Sequence, residues 1–351
     1  MNKFDRRLER IPKEVWEKIA QIDELKGQWT GGLNMSPQVL GRLKKSVLVT
    51  SSGASTRIEG SVLSDSDVAR LMHRGVVINK WADRDMQEVR GYYDVLGEVF
   101  DSYEDIEFTE NTIKHFHKKI LEHVPKDARH RGEYKKQENK VVALDSKGNE
   151  VGVIFEPTKA YLVPKQMSEL VDWSQATLQT GEHHPLLNIG NFIVEFLGIH
   201  PFRDGNGRLS RILTNLLLLQ AGYNYMPYVS HEKLIEDNKD AYYIALRKSQ
   251  KSCKDGNGDI TVWLIFFLDI LLTQSQMAKK LLLSESIEDT LSPKQIVVWQ
   301  YMQGVTEATQ GEIAAQTGVV RPTVDQILRK LISLNQIVRI GEGRATRYRK
   351  R

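Results

Sequence analysis

Residues His200 to Arg211, HPFRDGNGRLSR, bring together side chains that suit phosphate chemistry. An apolar stretch predicted as a helix ends at Ile199, and a loop with two glycines leads into a second predicted helix near Arg208. Glycines let a ligand approach the backbone closely, and consecutive N–H groups at a helix start bind anions. The segment therefore predicts an anion site that uses the backbone of the loop.

The side chains of this segment indicate that the predicted anion site suits a polyphosphate. Arg208 and Arg211 lie three residues apart, on one side of a helical turn, and arginine holds phosphate oxygens in a bidentate manner. Asp204 offers a hard oxygen ligand for Mg²⁺, which arrives with phosphates. His200 can accept a proton near neutral pH. A second DGNG, within Lys254–Asp259, has no such neighbours and is interpreted as a plain turn.

A shorter segment, Ser55 to Gly60 (STRIEG), has an ambiguous local role. Thr56 and Glu59 have the T-x-x-E spacing of a capping box, which begins a helix. Gly60 is instead typical of the residue that follows a helix end. These residues alone leave both alternatives open.

The elements that must position these residues are predicted to be mainly α-helical. Apolar residues recur at helical spacing over most of the chain, for example along Trp81–Phe100, Phe108–Val124 and Leu234–Ser249. The exception is a β-hairpin, Asn139–Leu144 with Val151–Phe155, around a turn-forming segment. An exposed edge of such a hairpin can pair with an extended segment of another chain.

Several polar residues on these helices are assigned to packing. Glu88 and Tyr92 fit the pattern of a packed amphipathic helix. His115, His117 and His123 show no pairing on one helix face with a carboxylate, so the pattern does not indicate zinc.

Composition indicates a globular protein of a reducing compartment. The 351 residues are 40% hydrophobic and 27% charged, and the single cysteine, Cys253, excludes an intrachain disulfide. The start, MNKFDRRLER, lacks the apolar segment of a signal peptide. The apolar run near Val262–Leu272 contains Asp269 and is predicted to be too short for a bilayer. We predict a cytoplasmic protein without a membrane partner.

The C-terminal region is predicted to be a separate winged helix-turn-helix domain. The polar segment Glu285–Thr290 is interpreted as a linker, and three short helical patterns and a hairpin follow it. From Arg321 to the end, nine basic residues stand against two acidic ones. Such a surface suits DNA, although a solvated basic tail and a protein-interaction module fit the same pattern.

With these residues in place, the chain resembles the Fic family. His200 to Arg211 agrees with every fixed position of the Fic motif, H-x-F-x-[D/E]-G-N-G-R-x-x-R, and the resemblance extends over roughly Trp81–Leu272. It implies a Fic/Fido helical core with a β-hairpin flap. It also implies transfer of AMP from ATP to a hydroxyl on a target protein. The expected domains are an N-terminal helical region at 1–100, the Fic core at 101–284 and the winged helix domain at 285–351.

The resemblance implies a role for each residue of the motif. His200 would be the general base, Phe202 the anchor of the loop, and Asp204 the Mg²⁺ ligand. The backbone of Gly205 to Gly207 and the Asn206 side chain would hold phosphate oxygens, with Arg208 near the β-phosphate and Arg211 at the γ-phosphate. A weaker similarity to the family's adenosine pocket implies Asn238 and Tyr242-Tyr243, which fit core packing equally well.

In a large subset of the family, an inhibitory helix carries [S/T]-x-x-x-E-[G/N], and Ser55, Glu59 and Gly60 agree with it. The implied role of Glu59 is to pair with Arg211 and misplace ATP. Gly60 would then end the helix, and the T-x-x-E spacing would be incidental. The resemblance further implies a homodimer and a target protein docked along the flap near 139–155.

Three alternatives remain at this stage. The same site could also remove AMP from a target. The Fic core could act mainly as a nucleotide sensor in a DNA-binding transcriptional regulator. The transferred group could be UMP, phosphate or phosphocholine instead of AMP. The complete motif and the inhibitory segment favour ATP.

Overall fold

The computed structural model describes residues 2–32, 35, 37–73, 84–138, 141–144, 150–283, 291–341, 343 and 346–350. The protein is mostly helical, as predicted. The helices are α1 (Lys3–Leu8), α2 (Lys13–Gly32), α3 (Pro37–Ile58), α4 (Asp65–His73), α5 (Arg84–Ser102), α6 (Glu110–Ile120), α7 (Val163–Thr180), α8 (Pro185–Ile199), α9 (Asn206–Gln220), α10 (His231–Asp237), α11 (Lys239–Lys254), α12 (Thr261–Leu283), α13 (Pro293–Gln303), α14 (Gln310–Thr317) and α15 (Arg321–Ser333).

The four strands form two antiparallel pairs. They are β1 (Val141–Leu144) with β2 (Glu150–Phe155), and β3 (Ile337–Ile340) with β4 (Arg347–Lys350). The first pair lies where the flap was predicted, and its register pairs Val141 with Phe155 and Leu144 with Glu150. The predicted turn between these strands, and Asn139, lie outside the described residues.

The chain divides into two compact units, Met1–Leu282 and Leu283–Arg351. The region predicted separately as 1–100 packs into the same unit as the core, because α3 and α5 contact each other and α9. In α9, every residue from Asn206 to Leu219 except Gly207 is buried. Burial of each large apolar side chain contributes roughly 1.5–3 kcal/mol, so this helix is the anchor of the unit.

The C-terminal unit has the predicted element order of three helices followed by a hairpin. Thr309 and Glu312 form a capping box at the start of α14, and Gly318 (φ +68°) follows its last residue in the left-handed conformation. The assignment of this unit as a winged helix domain stays a prediction.

One helix prediction was wrong in extent. Leu234–Ser249, predicted as one helix, is divided into α10 and α11 at Asn238, whose φ of −119° departs from helical geometry. The apolar run near Val262–Leu272 belongs to the longer helix α12. By length and composition alone, Thr261–Leu282 is the one helix among the described residues that could cross a membrane. Half of its most apolar window is buried inside the protein, and core helices of soluble proteins pass the same test.

Candidate active site

The candidate site is the loop 200–205 that joins α8 to α9. His200 follows α8 in the left-handed conformation (φ +51°, ψ +61°), and its N–H donates to the Phe196 carbonyl at 2.9 Å. A non-glycine residue in this conformation costs roughly 1–3 kcal/mol, so the surrounding contacts must hold it there. Gly205 (φ +77°) turns the chain again and precedes the first residue of α9.

Asn206 closes the loop from within. Its Oδ1 accepts from the N–H of Phe202 at 3.0 Å, and its Nδ2 donates to the carbonyl of the same residue at 2.9 Å. The side chain predicted to hold phosphate oxygens is therefore engaged with the backbone of the loop. The N-terminal turn of α9 and its arginines remain as the groups predicted to bind phosphates.

A buried histidine supports the loop from α6. His117 stacks on Phe202 with ring centroids 3.8 Å apart, and both side chains are fully buried. The N–H of Gly132 donates to His117 Nδ1 at 2.9 Å, so the proton of the neutral ring is on Nε2. Nε2 then donates to the Asp204 carbonyl at 3.0 Å. Burial lowers the pKa of His117 to about 4, which keeps the ring neutral at pH 7.

His117 was assigned to packing, and its link to the loop was missed. The available signal was its place among Ile113, Phe116 and Ile120, which form the buried stripe of α6. A histidine in such a stripe must find partners for both ring nitrogens.

Asp204, the predicted metal ligand, lies among cationic groups. Its Oδ1 accepts from the Gly205 N–H at 2.6 Å, and its Oδ2 lies 2.5 Å from Arg84 Nη2 and 3.3 Å from Arg208 Nη2. Burial raises the pKa of Asp204, but Arg208, the Gly205 N–H and Arg84 outweigh it, and the pKa is lowered overall. Asp204 is therefore an ionised carboxylate that already has partners.

Two residues at the start of α5 complete this cluster and were missed as site residues. Glu88 Oε2 lies 2.8 Å from Arg208 Nη1, and Glu88 Oε1 accepts from Arg84 Nε at 2.7 Å. Arg84 also contacts Asp127 at 3.3 Å. The periodicity that assigned Glu88 to packing identifies the buried face of α5, but it does not indicate which charge lies opposite.

Arg211, the predicted γ-phosphate ligand, is held by residues of STRIEG. Its Nε donates to Ser55 Oγ at 2.9 Å, and its Nη2 contacts both the Ser55 carbonyl at 2.9 Å and Glu59 Oε1 at 2.8 Å. The side chain of Arg211 is only 2% exposed, and its Nη1 is buried without a hydrogen-bond partner. Burial lowers the pKa of Arg211, but Glu59, Tyr242 and Tyr92 together outweigh burial, and the pKa of Arg211 is raised overall. The structure thus brings Ser55, Glu59 and Arg211 together.

The Glu59 carboxylate lies against the first turn of α9. A Cβ added to Gly207 would collide with Glu59 Oε1. Anions bind at helix N-termini because the first N–H groups and the helix dipole favour negative charge. A carboxylate therefore occupies the position that the sequence predicts for a phosphate.

The end of α3 explains how Glu59 reaches this position. Gly60 (φ +107°) donates to the Arg57 carbonyl and Ser61 to the Thr56 carbonyl, which is the Schellman pattern of a helix end. Thr56 Oγ1 bonds backwards to the carbonyls of Ser52 and Gly53, so no capping box forms at Glu59. STRIEG is the last turn of a helix.

A buried carboxylate lies behind Arg211 and was also missed. Glu232 is fully buried, and its Oε1 accepts from Tyr92 Oη at 2.8 Å and from Asn215 Nδ2 at 2.7 Å. Burial, followed by the Glu232 charge, raises the pKa of Tyr92 well above its usual value, so the phenol stays a donor. These groups fix the part of α9 that carries Arg211.

The three residues predicted for the adenosine pocket differ in placement. Tyr242 is buried beside Arg211 and lines a small cavity with His231 and Trp263. Asn238 is exposed, and its Nδ2 donates to the Leu234 carbonyl at 2.9 Å as α10 ends. Tyr243 is partly buried, and its hydroxyl contacts the Ile58 carbonyl at 3.4 Å. The structure brings the two tyrosines to the site and leaves Asn238 in a capping role.

The His200 imidazole has the environment of a neutral base. Burial, followed by the charge of Lys135, lowers the pKa of His200 to about 4. A hydrogen bond to the Leu197 backbone opposes this lowering. A neutral imidazole is the form that can accept a proton, which is the role predicted for His200.

Comparison with known proteins identifies a domain within the first unit. Residues 107–218 match the family model described as Fic/DOC family. The chain is 33% identical over 92 residues to the probable protein adenylyltransferase aq_aa38 of Aquifex aeolicus, across 26% of this chain and 27% of that protein. It is 24% identical over 208 residues to protein adenylyltransferase Fic of Drosophila virilis, across 59% of this chain and 40% of that protein. The matches thus span less than half the length of these relatives.

Solved structures share the fold. A Fic family protein from Desulfovibrio desulfuricans G20 superposes with a TM-score of 0.63 at 24% identity, over 97% of both chains. A Fic domain containing signaling protein from Bacteroides thetaiotaomicron gives a TM-score of 0.63 at 24% identity, over 76% of this chain and 98% of that one.

Proposed function

Because the chain carries a Fic/Fido domain, we propose that it is an autoinhibited protein adenylyltransferase, which transfers AMP from ATP to a Ser, Thr or Tyr hydroxyl of a target protein. One observation carries the inhibitory part of the proposal. The Glu59 carboxylate pairs with Arg211 and lies against the first turn of α9, where a phosphate group of ATP would bind. The curated relatives named protein adenylyltransferase support AMP as the transferred group.

The proposed reaction is a nucleotidyl transfer. The neutral imidazole of His200 takes the proton of the target hydroxyl, and the hydroxyl oxygen forms a bond to the α-phosphorus of ATP. The bond from the α-phosphorus to the oxygen that bridges to the β-phosphate breaks, and pyrophosphate leaves. Arg208, Arg211 and the N-terminal turn of α9 bind the phosphates. Their role is positioning and charge neutralisation.

Asp204 is the proposed ligand of Mg²⁺. The described residues contain no group of three or more acidic, histidine or cysteine side chains that could hold a metal. This fits Mg²⁺, which is usually bound through one or two carboxylates together with substrate phosphates. When bound, the metal would neutralise charge on the phosphates. Arg84 contacts the same carboxylate and would have to move aside.

The inhibition has a simple physical origin. A guanidinium that already pairs with a carboxylate cannot hold the γ-phosphate in the same geometry. ATP then binds with its α-phosphorus misplaced, and a displacement of about 1 Å can cost roughly a hundredfold in rate. We expect Glu59→Gly to raise AMP transfer by about that factor.

The test uses α-labelled and γ-labelled ATP with the Glu59→Gly protein and a lysate as the source of targets. Glu182→Gly, at an exposed turn, is the matched control. The expected result is strong α-label in Glu59→Gly, little in wild type and Glu182→Gly, and none when His200→Ala is added. Equal label in wild type and Glu59→Gly would refute inhibition only. Label from γ-ATP alone would instead indicate phosphate transfer, and no label from either ATP would refute the transferase.

The flap is the proposed docking site of the target. Strands β1 and β2 form an isolated antiparallel pair, and such a pair can accept a further strand at an edge.

DNA binding by the C-terminal unit is a second proposal. It is supported by the order of three helices and a hairpin, with exposed Arg321 and Arg349. Retention on DNA across a salt series would test it, since phosphate contacts give a steep salt dependence.

A further inference from the structure

The segment 132–135, between α6 and β1, supports the His200 loop at three successive points. The Gly132 N–H binds His117, which stacks on Phe202. The ring of Tyr134 lies 5.4 Å from that of Phe202. Lys135, a charged residue, is only 6% exposed. Burial of a lysine is costly unless the site gives it a partner or a task.

Lys135 binds the backbone on both sides of His200. Its N–H donates to the Pro201 carbonyl at 2.8 Å, and its Nζ donates to the Ile199 carbonyl at 3.4 Å. His200 lies between these two carbonyls in the left-handed conformation. Two bonds to the flanking peptides therefore oppose relaxation of this strained residue.

We propose that Lys135 is a positioning residue for His200, which fixes the peptides around the histidine and keeps a positive charge beside its imidazole. The proposal rests on the role of His200 as the base of the proposed function. A cation beside the ring disfavours its protonated form, so the ring stays neutral and able to accept the target's proton.

Other charges also face the imidazole. Glu59, from the end of α3, and Asp204, from the loop itself, both favour the protonated ring, whereas Lys135 opposes them. Burial lowers the pKa of Lys135 itself to about 8, so Lys135 is still mostly charged at pH 7. Since both carboxylates are expected to engage other groups when nucleotide binds, Lys135 is the cation that the protein itself keeps beside the ring.

The test compares Lys135→Gln, Lys135→Met and Lys135→Arg in the Glu59→Gly protein. Gln keeps a donor for the Ile199 carbonyl but loses the charge, Met loses both, and Arg keeps both. Lys136→Met is the matched control, because Lys136 is the exposed neighbour of Lys135. One readout is the rate of AMP transfer between about pH 3 and pH 8, a range that includes the His200 pKa of about 4. The other is the titration of His200 by NMR of ¹³C-labelled histidine without nucleotide, assigned with His200→Ala.

Both neutral variants are expected to move the His200 titration, and the acid limb of the rate profile, to higher pH by about one pH unit, a tenfold change in proton affinity. Lys135→Arg and Lys136→Met should leave both where they are. Unchanged titration in Lys135→Gln and Lys135→Met would overturn the proposal, even if the rate fell. The NMR readout needs no turnover, so a protein that transfers no AMP would refute the proposed function and leave this inference to be judged on the titration.

Discussion

In the proposed site, Arg84 and Mg²⁺ would compete for the same oxygen of Asp204. Arg84 Nη2 lies 2.5 Å from Asp204 Oδ2, and a Mg²⁺ ligand must approach the ion to about 2.1 Å. A guanidinium and a divalent cation cannot both contact this oxygen without strong repulsion. The perturbation is Arg84→Ala, which removes the competitor and leaves the carboxylate in place.

The expected change in metal affinity follows from the solvent exposure of the Arg84 and Asp204 side chains. The side chains of Arg84 and Asp204 are 47% and 39% exposed, so their pairing is of the solvent-screened kind that contributes about 0.2–1 kcal/mol. Arg84 also keeps Glu88 and Asp127 as partners when it leaves Asp204, which further limits the loss. We therefore expect Arg84→Ala to tighten metal binding by roughly two- to fivefold.

The assay is a titration with Mn²⁺ in place of Mg²⁺, followed by electron paramagnetic resonance, in the presence of a non-hydrolysable ATP analogue. Asp204→Asn should abolish the high-affinity site. Arg70→Ala is the control, because Arg70 pairs with Asp67 on the surface of α4. Weaker binding in Arg84→Ala would refute the reasoning, since it would mean that Arg84 helps to hold the phosphates.

Three further perturbations test the support of the loop. The pKa of His117 is lowered from 6.5 to about 4 in the folded protein. The free energy of unfolding is therefore highest above pH 6.5 and falls by about 3 kcal/mol as the pH drops to about 4. His117→Phe should remove this decrease from the free energies that urea unfolding gives at a series of pH values. Gly207→Ala should lower AMP transfer even in the Glu59→Gly protein, because the Cβ that collides with Glu59 Oε1 occupies the place proposed for a phosphate oxygen. Asn206→Ala removes both bonds to Phe202 and should lower the free energy of unfolding by about 1–3 kcal/mol.

The parts of the site that the sequence predicts are those encoded in contiguous segments. Gly205 and Gly207 mark a tight loop at a helix start, and Gly60 marks a helix end, because glycine conformation is a local property. The Glu59–Arg211 contact joins segments far apart in the chain, and only the family resemblance linked them. The broad helical fold follows from periodicity, although Asn238 divides a helix that the apolar pattern presents as continuous.

The site residues that the sequence does not predict share one property. Arg84, Glu88, His117 and Lys135 come from segments outside the motif, and each makes a polar contact to a residue within 199–211. Periodicity reports which face of a helix is buried, but it does not report which charge lies opposite. A buried polar side chain within an apolar stripe is the residue-level signal, and its partner is fixed only by tertiary packing.

The ionic contacts of the site link its proposed inhibition to its stability. Arg208 and Arg211 are buried cations, and leaving a buried charge without its partner is strongly destabilising, by about 3–5 kcal/mol. In the structure, Glu88 and Glu59 supply the negative charge that the phosphates of ATP would supply in the proposed complex. Glu59→Gly therefore leaves Arg211 with Ser55 and the polar groups around it, while its Nη1 is already without a hydrogen-bond partner. The Glu59→Gly protein should thus depend on nucleotide for stability more than wild type does, because the group proposed to inhibit the site is also the group that neutralises its buried charge.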